Sequence, residues 1–146
     1  MSRIVFKNLD GSVGIIVPAE NTTLTVEEIA EKDVPSGLSY RITDESNIPV
    51  DRTFRAAWVD DNPTESIDVD MSKARDLHMS RLRELRNKKF EELGFSTRLA
   101  PELEEALVTT SNKAKLRALR DMPDNTDLEV AKTPEDLRLI IPKELR

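Results

Sequence analysis

Residues 51–86, DRTFRAAWVDDNPTESIDVDMSKARDLHMSRLRELR, decide how this chain is built. A cluster of Arg52, Phe54, Arg55 and Trp58 gives way to an acid-rich stretch holding Pro63, and then to a run with helical period. Asp70 can cap a helix opened by Met71-Ser72-Lys73-Ala74, and Gly94 stands where a left-handed residue closes one, so the spacing predicts a helix over 71–93. At 100° per residue, Met71, Ala74, His78, Leu82, Leu85 and Leu93 form one stripe, with Met79 and Phe90 on its flank. The remaining surface carries Lys73, Arg75, Arg81, Arg83, Arg86, Lys88 and Lys89 against Asp76 and Glu84.

Upstream, the pattern changes to strands. Arg3–Lys7 and Val13–Val17 are short β-prone runs joined by Asn8-Leu9-Asp10-Gly11-Ser12, whose Asp-Gly pair supplies hairpin turn chemistry. Thr25 followed by Glu28 is a capping box, and Val26, Ile29 and Ala30 give one apolar face to a helix of about two turns that Pro35 and Gly37 close. Leu38, Tyr40 and Ile42 alternate with Ser39, Arg41 and Thr43, the period of a half-buried strand. Downstream, Leu99-Ala100-Pro101-Glu102 opens a second helix that Asp121-Met122-Pro123 stops near 120. Thr133-Pro134-Glu135-Asp136 caps a short last one. The expected fold is α+β: a ββαβ unit over 1–60, an acidic linker over 61–70 with a boundary near Asn62-Pro63, and a helical region over 71–146 containing a helical hairpin.

The chain of 146 residues is large enough for one ordinary domain or two small units, but its 38% apolar and 34% charged composition leaves little interior per residue. Such a balance suits a protein that gains order from a partner. The absence of cysteine removes disulfides and thiolate chemistry. No apolar run is long enough for a signal peptide or a membrane span, so a soluble product made in the cytoplasm is expected, without a membrane partner. Residues 1–72 hold 6 Lys/Arg against 14 Asp/Glu, and residues 73–146 hold 16 against 14. The overall net charge of −6 argues against nucleic acid as a partner, while the contrast between the halves favours attraction between domains or copies, and so a homo-oligomer.

No stretch assembles a nucleophile with a base, a metal-ligand cluster or a glycine-rich phosphate loop, so neither an enzyme nor a cofactor or metal is expected. His78 lies on the apolar stripe without converging ligands and reads as a packing or capping residue. Asp60, Asp61, Glu65, Asp68 and Asp70 lack the order of a calcium loop and read as a solvated linker ending in a helix cap. Phe54 and Trp58, four residues apart with arginines beside them, have two readings: anchors for a partner, or, for the single Trp, a keystone between two small subdomains.

Those residues carry a resemblance. IPVDRTFRAAW, then VDMSKARDLHMSRLRELR, LRALRDMP and TPEDL, resemble in this order small proteins encoded in the tail-gene regions of tailed bacteriophages. The matching positions are Asp51–Phe54, Arg55, Ala57 and Trp58; Lys73, Ala74, Arg75 and His78; and Leu119–Pro123. The chain departs from the family pattern at Gly94–Arg98 and Val108–Lys113, where an Asp-rich connection is usual. The resemblance implies a non-enzymatic virion component, made in the host cytoplasm and bound to a tail, tail-fibre or other structural protein. An assembly chaperone is the alternative, since the carboxy-terminal helices loosely resemble tail-fibre chaperones, and a host-directed or nucleic-acid-binding phage protein is the third reading. The expected partner surface joins Arg52, Phe54, Arg55 and Trp58 as anchors with Arg75, Arg81, Arg83 and Arg86 as steering charge.

Overall fold

The structure is a computed structural model that describes residues 1–61, 66–93 and 110–146. It is a mixed α+β chain dividing into two compact units, Met1–Ala74 and Arg75–Arg146.

In the first unit β1 (Ser2–Lys7) and β2 (Val13–Ile16) form the expected hairpin. Gly11, with φ of +84°, supplies the left-handed turn residue, and Asp10 fixes the turn by accepting from the Ser12 amide and hydroxyl. Those Ser12 bonds hold the Asp10 carboxyl below its ordinary range. After the hairpin, α1 (Val26–Asp33) begins with the capping box at both hands: the Thr25 hydroxyl accepts from the Glu28 amide at 3.2 Å, and the Glu28 carboxylate accepts from the Thr25 amide at 2.8 Å. The chain then returns as β3 (Tyr40–Asp44) on the far side of β1, giving an antiparallel sheet of order β2-β1-β3.

Alternation along β1 divides the interior. Ile4 packs with Ile29, Ala30 and Val34 of the α1 segment, with Phe6 and Ile16 against them. Val5 points to the other face and joins Val13, Ile48, Trp58 and Ile67. Because both faces are covered, β3 does not follow the expected phase. Tyr40 and Ile42 remain 38% and 37% exposed, while Thr43 is buried and accepts from Asn47. Arg41, on the Thr43 face, donates a two-pronged bond to Asp60 at 2.7 and 3.1 Å.

The expected linker over 61–70 is corrected. Trp58–Val59 (β4) and Asp68–Val69 (β5) pair antiparallel, the buried Ile67 donates its amide to Asn47 O, and the Asp70 amide donates to Ala57 O. Of the acids that read as solvated, Asp60 is drawn in by Arg41 and Asp61 pairs with Lys7 of β1, while Asp61 and Asp68 remain exposed. The first unit therefore runs to Ala74. Asn62, Pro63 and Glu65 lie outside the described residues.

Gly14 faces Phe6 across the β1–β2 pair, and the Phe6 ring lies where a side chain at 14 would stand. Gly14→Val should cost about 1–3 kcal/mol, because the ring must leave its place over the strand. Urea unfolding of Gly14→Val alone and with Phe6→Leu checks this. Partial recovery in the double variant is the expected result, and equal loss in both would contradict it.

The division between the units falls in the first turn of α2 (Met71–Glu92), which Asp70 caps by accepting from the Lys73 amide. In the second unit α3 (Thr110–Asn125) runs past the expected stop and holds Pro123 within its last turn. A proline there forfeits one bond near a helix end that is already losing partners, and the Thr126 hydroxyl covers the Met122 carbonyl at 2.6 Å. The expected start of that helix, 99–109, lies outside the described residues. The last helix, α4 (Pro134–Arg138), has Thr133 as N-cap, accepting from the Asp136 amide. His78 is buried and its Nε2–H donates to Ile140 O at 2.8 Å, tying α2 to the segment after α4.

Candidate functional site

The arginine-aromatic segment is a rigid loop. Asp51 accepts from the Thr53 amide at 2.9 Å and from its hydroxyl at 2.5 Å, the local turn that an Asx residue favours. The Arg55 amide then donates to Arg52 O and the Ala57 amide to Phe54 O, closing a 3₁₀ turn over Arg55–Ala57. This geometry sorts the side chains by depth. Phe54, Ala57 and Trp58 are no more than 1% exposed, whereas Arg52 and Arg55 stand outside.

Phe54 and Trp58 are thus corrected as partner anchors: they have no surface to offer, because the fold uses it. Trp58 packs beside Val5, Val13, Ile48 and Ile67, all within the first unit, so it is a core residue of that unit and neither an exposed anchor nor a wedge between subdomains. Its indole Nε1–H is buried with no acceptor among the described residues. The Arg55 guanidinium lies 5.9 Å from the Trp58 ring centroid, near the outer reach of a cation–π contact.

The α2 arginines do not make one surface either. Arg75 points into its own unit, donating to Leu128 O at 3.2 Å and Ala131 O at 2.9 Å and pairing with Glu129 at 3.3 Å. Arg86 is half-buried and lies 5.9 Å from the Phe90 ring centroid. Arg81 and Arg83 are exposed, but a spacing of two sets them about 160° apart around the helix. The exposed arc also carries Asp76, Glu84 and Glu91, so its charge is mixed. A count of arginines along a helix is therefore not a patch.

A further feature of the first unit lies outside the sequence expectations. A cleft of about 160 Å³ is lined by Ile15, Val17, Ile48, Pro49 and Val50, with Arg52 among its walls. Val17 is 55% and Val50 98% exposed. The signal was Val50 itself, an apolar residue stranded between Pro49 and the turn-forming Asp51, outside any strand or helix period. Arg3 and Glu45 pair with each other at 2.9 Å along the same cleft, while Arg52 has no acidic partner among the described residues.

Among the described residues no group of three or more His, Cys, Asp or Glu is placed to hold a metal ion, and no helix is long and apolar enough to cross a membrane. No protein-family model, no curated protein and no solved structure matches the chain.

Proposed function

We propose that the protein is a non-enzymatic structural component of a tailed-phage virion, attached through its amino-terminal unit to a tail, tail-fibre or other structural protein. The observation that carries this reading is the loop Asp51–Trp58, which spends its aromatic residues on the core and holds Arg52 and Arg55 outward on a hydrogen-bonded frame. A rigid frame lowers the ordering cost of binding, and arginine is favoured at protein interfaces. The phage setting comes from the sequence resemblance, whose most recognisable phrase is this loop. The acid excess of the first unit, 7 Lys/Arg against 14 Asp/Glu over residues 1–74, favours a protein partner over nucleic acid.

Mass spectrometry of purified particles tests the reading. Recovery at a stoichiometry comparable with tail proteins supports it, whereas presence in the infected lysate and absence from particles transfers the reading to an assembly chaperone. The paired change Arg52→Glu and Arg55→Glu should lower capture of virion proteins by about tenfold or more. As both residues are exposed, stability should stay within about 0.5 kcal/mol. Undiminished capture by the reversed variant would move the interface away from this loop.

A further inference from the structure

We propose that the free edge of β2, together with the Val50 cleft, takes an extended segment of a partner protein that adds as a fourth strand and carries an apolar residue beside a carboxylate. The inference rests on the protein-binding reading above and names the chemistry of the partner at that loop.

Three observations converge. First, β2 ends the sheet: β1 lies on one side of it, and no strand bonds to its other side among the described residues. Its sequence, Val13-Gly14-Ile15-Ile16, has none of the charges that usually blunt an edge, and proline appears only at 18, past its end. Such an edge offers main-chain donors and acceptors to an extended peptide. Second, the strand runs directly into an apolar shelf. Ile15 and Val17 on the β2 side meet Ile48, Pro49 and the fully solvated Val50 around one cleft, whose volume of about 160 Å³ suits one aliphatic side chain and not a cofactor. Third, the charge at the cleft is one-sided. Glu45 is already neutralised by Arg3, and Arg52 is left without an acidic partner among the described residues. A guanidinium beside the apolar wall of the cleft is complementary to a carboxylate on a segment whose neighbouring side chain packs on that wall. A second copy paired edge to edge fits less well, since its own β2, Val13-Gly14-Ile15-Ile16, brings no carboxylate to meet Arg52.

The test uses the full-length protein and short capped peptides with alternating valine and aspartate, the same peptide with lysine for aspartate, and a version broken by proline. Titration is followed by amide shifts in the NMR spectrum and by fluorescence anisotropy. The aspartate peptide is expected to shift the Val13–Val17 amides and to bind about tenfold more tightly than the lysine peptide, with the proline peptide silent. Arg52→Glu should reverse the charge preference, and Val50→Asp should weaken all binding while leaving the thermal transition in place. No shift of the β2 amides at millimolar peptide, or equal binding of the two charges, overturns the proposal. Self-association in sedimentation that Val50→Asp abolishes would also overturn it, in favour of a second copy. Peptide binding without capture of virion proteins would fault the phage setting alone, and capture that persists in Val50→Asp without peptide binding would fault this site alone.

Discussion

Trp58→Ala is expected to destabilise the amino-terminal unit by about 3–5 kcal/mol, the range for deleting a fully buried large aromatic side chain. Trp58 is 1% exposed and touches residues from β1, β2, the Ile48 turn and the Ile67 segment, so no single neighbour can move in to fill the space. Trp58→Phe makes the prediction specific. It leaves a smaller void and removes an indole N–H that has no acceptor among the described residues, a burial worth about 1–3 kcal/mol of penalty, so its loss should be less than half that of alanine. Urea unfolding of the two variants measures the difference. If Trp58 were a partner anchor instead, both variants would keep the wild-type unfolding midpoint and lose capture of virion proteins.

The same residue marks where sequence reading stopped. Local chemistry was legible: the Thr25–Glu28 capping box, the Asp-Gly turn with Gly11 at positive φ, and the caps at Asp70 and Thr133 all lie within a few residues of the features they set. These are short-range bonds whose partners sit beside each other in the chain. The phase of β3 is not legible in the sequence, because alternation tells inside from outside only when one face of a sheet is wet. Here α1 lies under one face and the Ile48–Val69 segment under the other, so Thr43 is buried and Ile42 is not. The strands β4 and β5 have two residues each, too few to show any period, and the acids around them looked like a linker until Arg41 and Lys7 supplied their partners.

The candidate surface failed for a related reason. Aromatic residues interleaved with arginine describe an interface and a covered core equally well, since in both the ring is buried and the guanidinium borders it. Only tertiary placement separates them, and it keeps Arg52 and Arg55 outside while taking Phe54 and Trp58 within. In sequence Val50 carries only a weak signal, because a lone exposed valine ordinarily means nothing. Its meaning comes from Val17 and Pro49, which join it around one cleft although Val17 is far away in sequence.

Arg75 gives the second large effect. Arg75→Ala should destabilise the carboxy-terminal unit by about 2–4 kcal/mol, because hydrogen bonds from a charged donor contribute about 1.5–3 kcal/mol each and are not additive. Its side chain is 17% exposed and all three guanidinium nitrogens are engaged: Nε on Leu128 O, Nη2 on Ala131 O, and Nη1 toward Glu129. The carbonyls belong to residues that are themselves buried, so removing the fork leaves them poorly solvated. Glu129, with a side chain 77% exposed, adds little through a screened ion pair, and Glu129→Gln should change stability by less than about 1 kcal/mol. Arg75→Lys retains charge but cannot reach two carbonyls with a planar fork, so it should recover only part of the loss. Chemical denaturation gives the energies, and hydrogen exchange at the Ala131 amide, which closes the turn onto Leu128 O at 3.3 Å, reports whether that turn opens first. Unchanged stability in Arg75→Ala, with capture of virion proteins lost, would return Arg75 to the steering role that the basic run of α2 suggested.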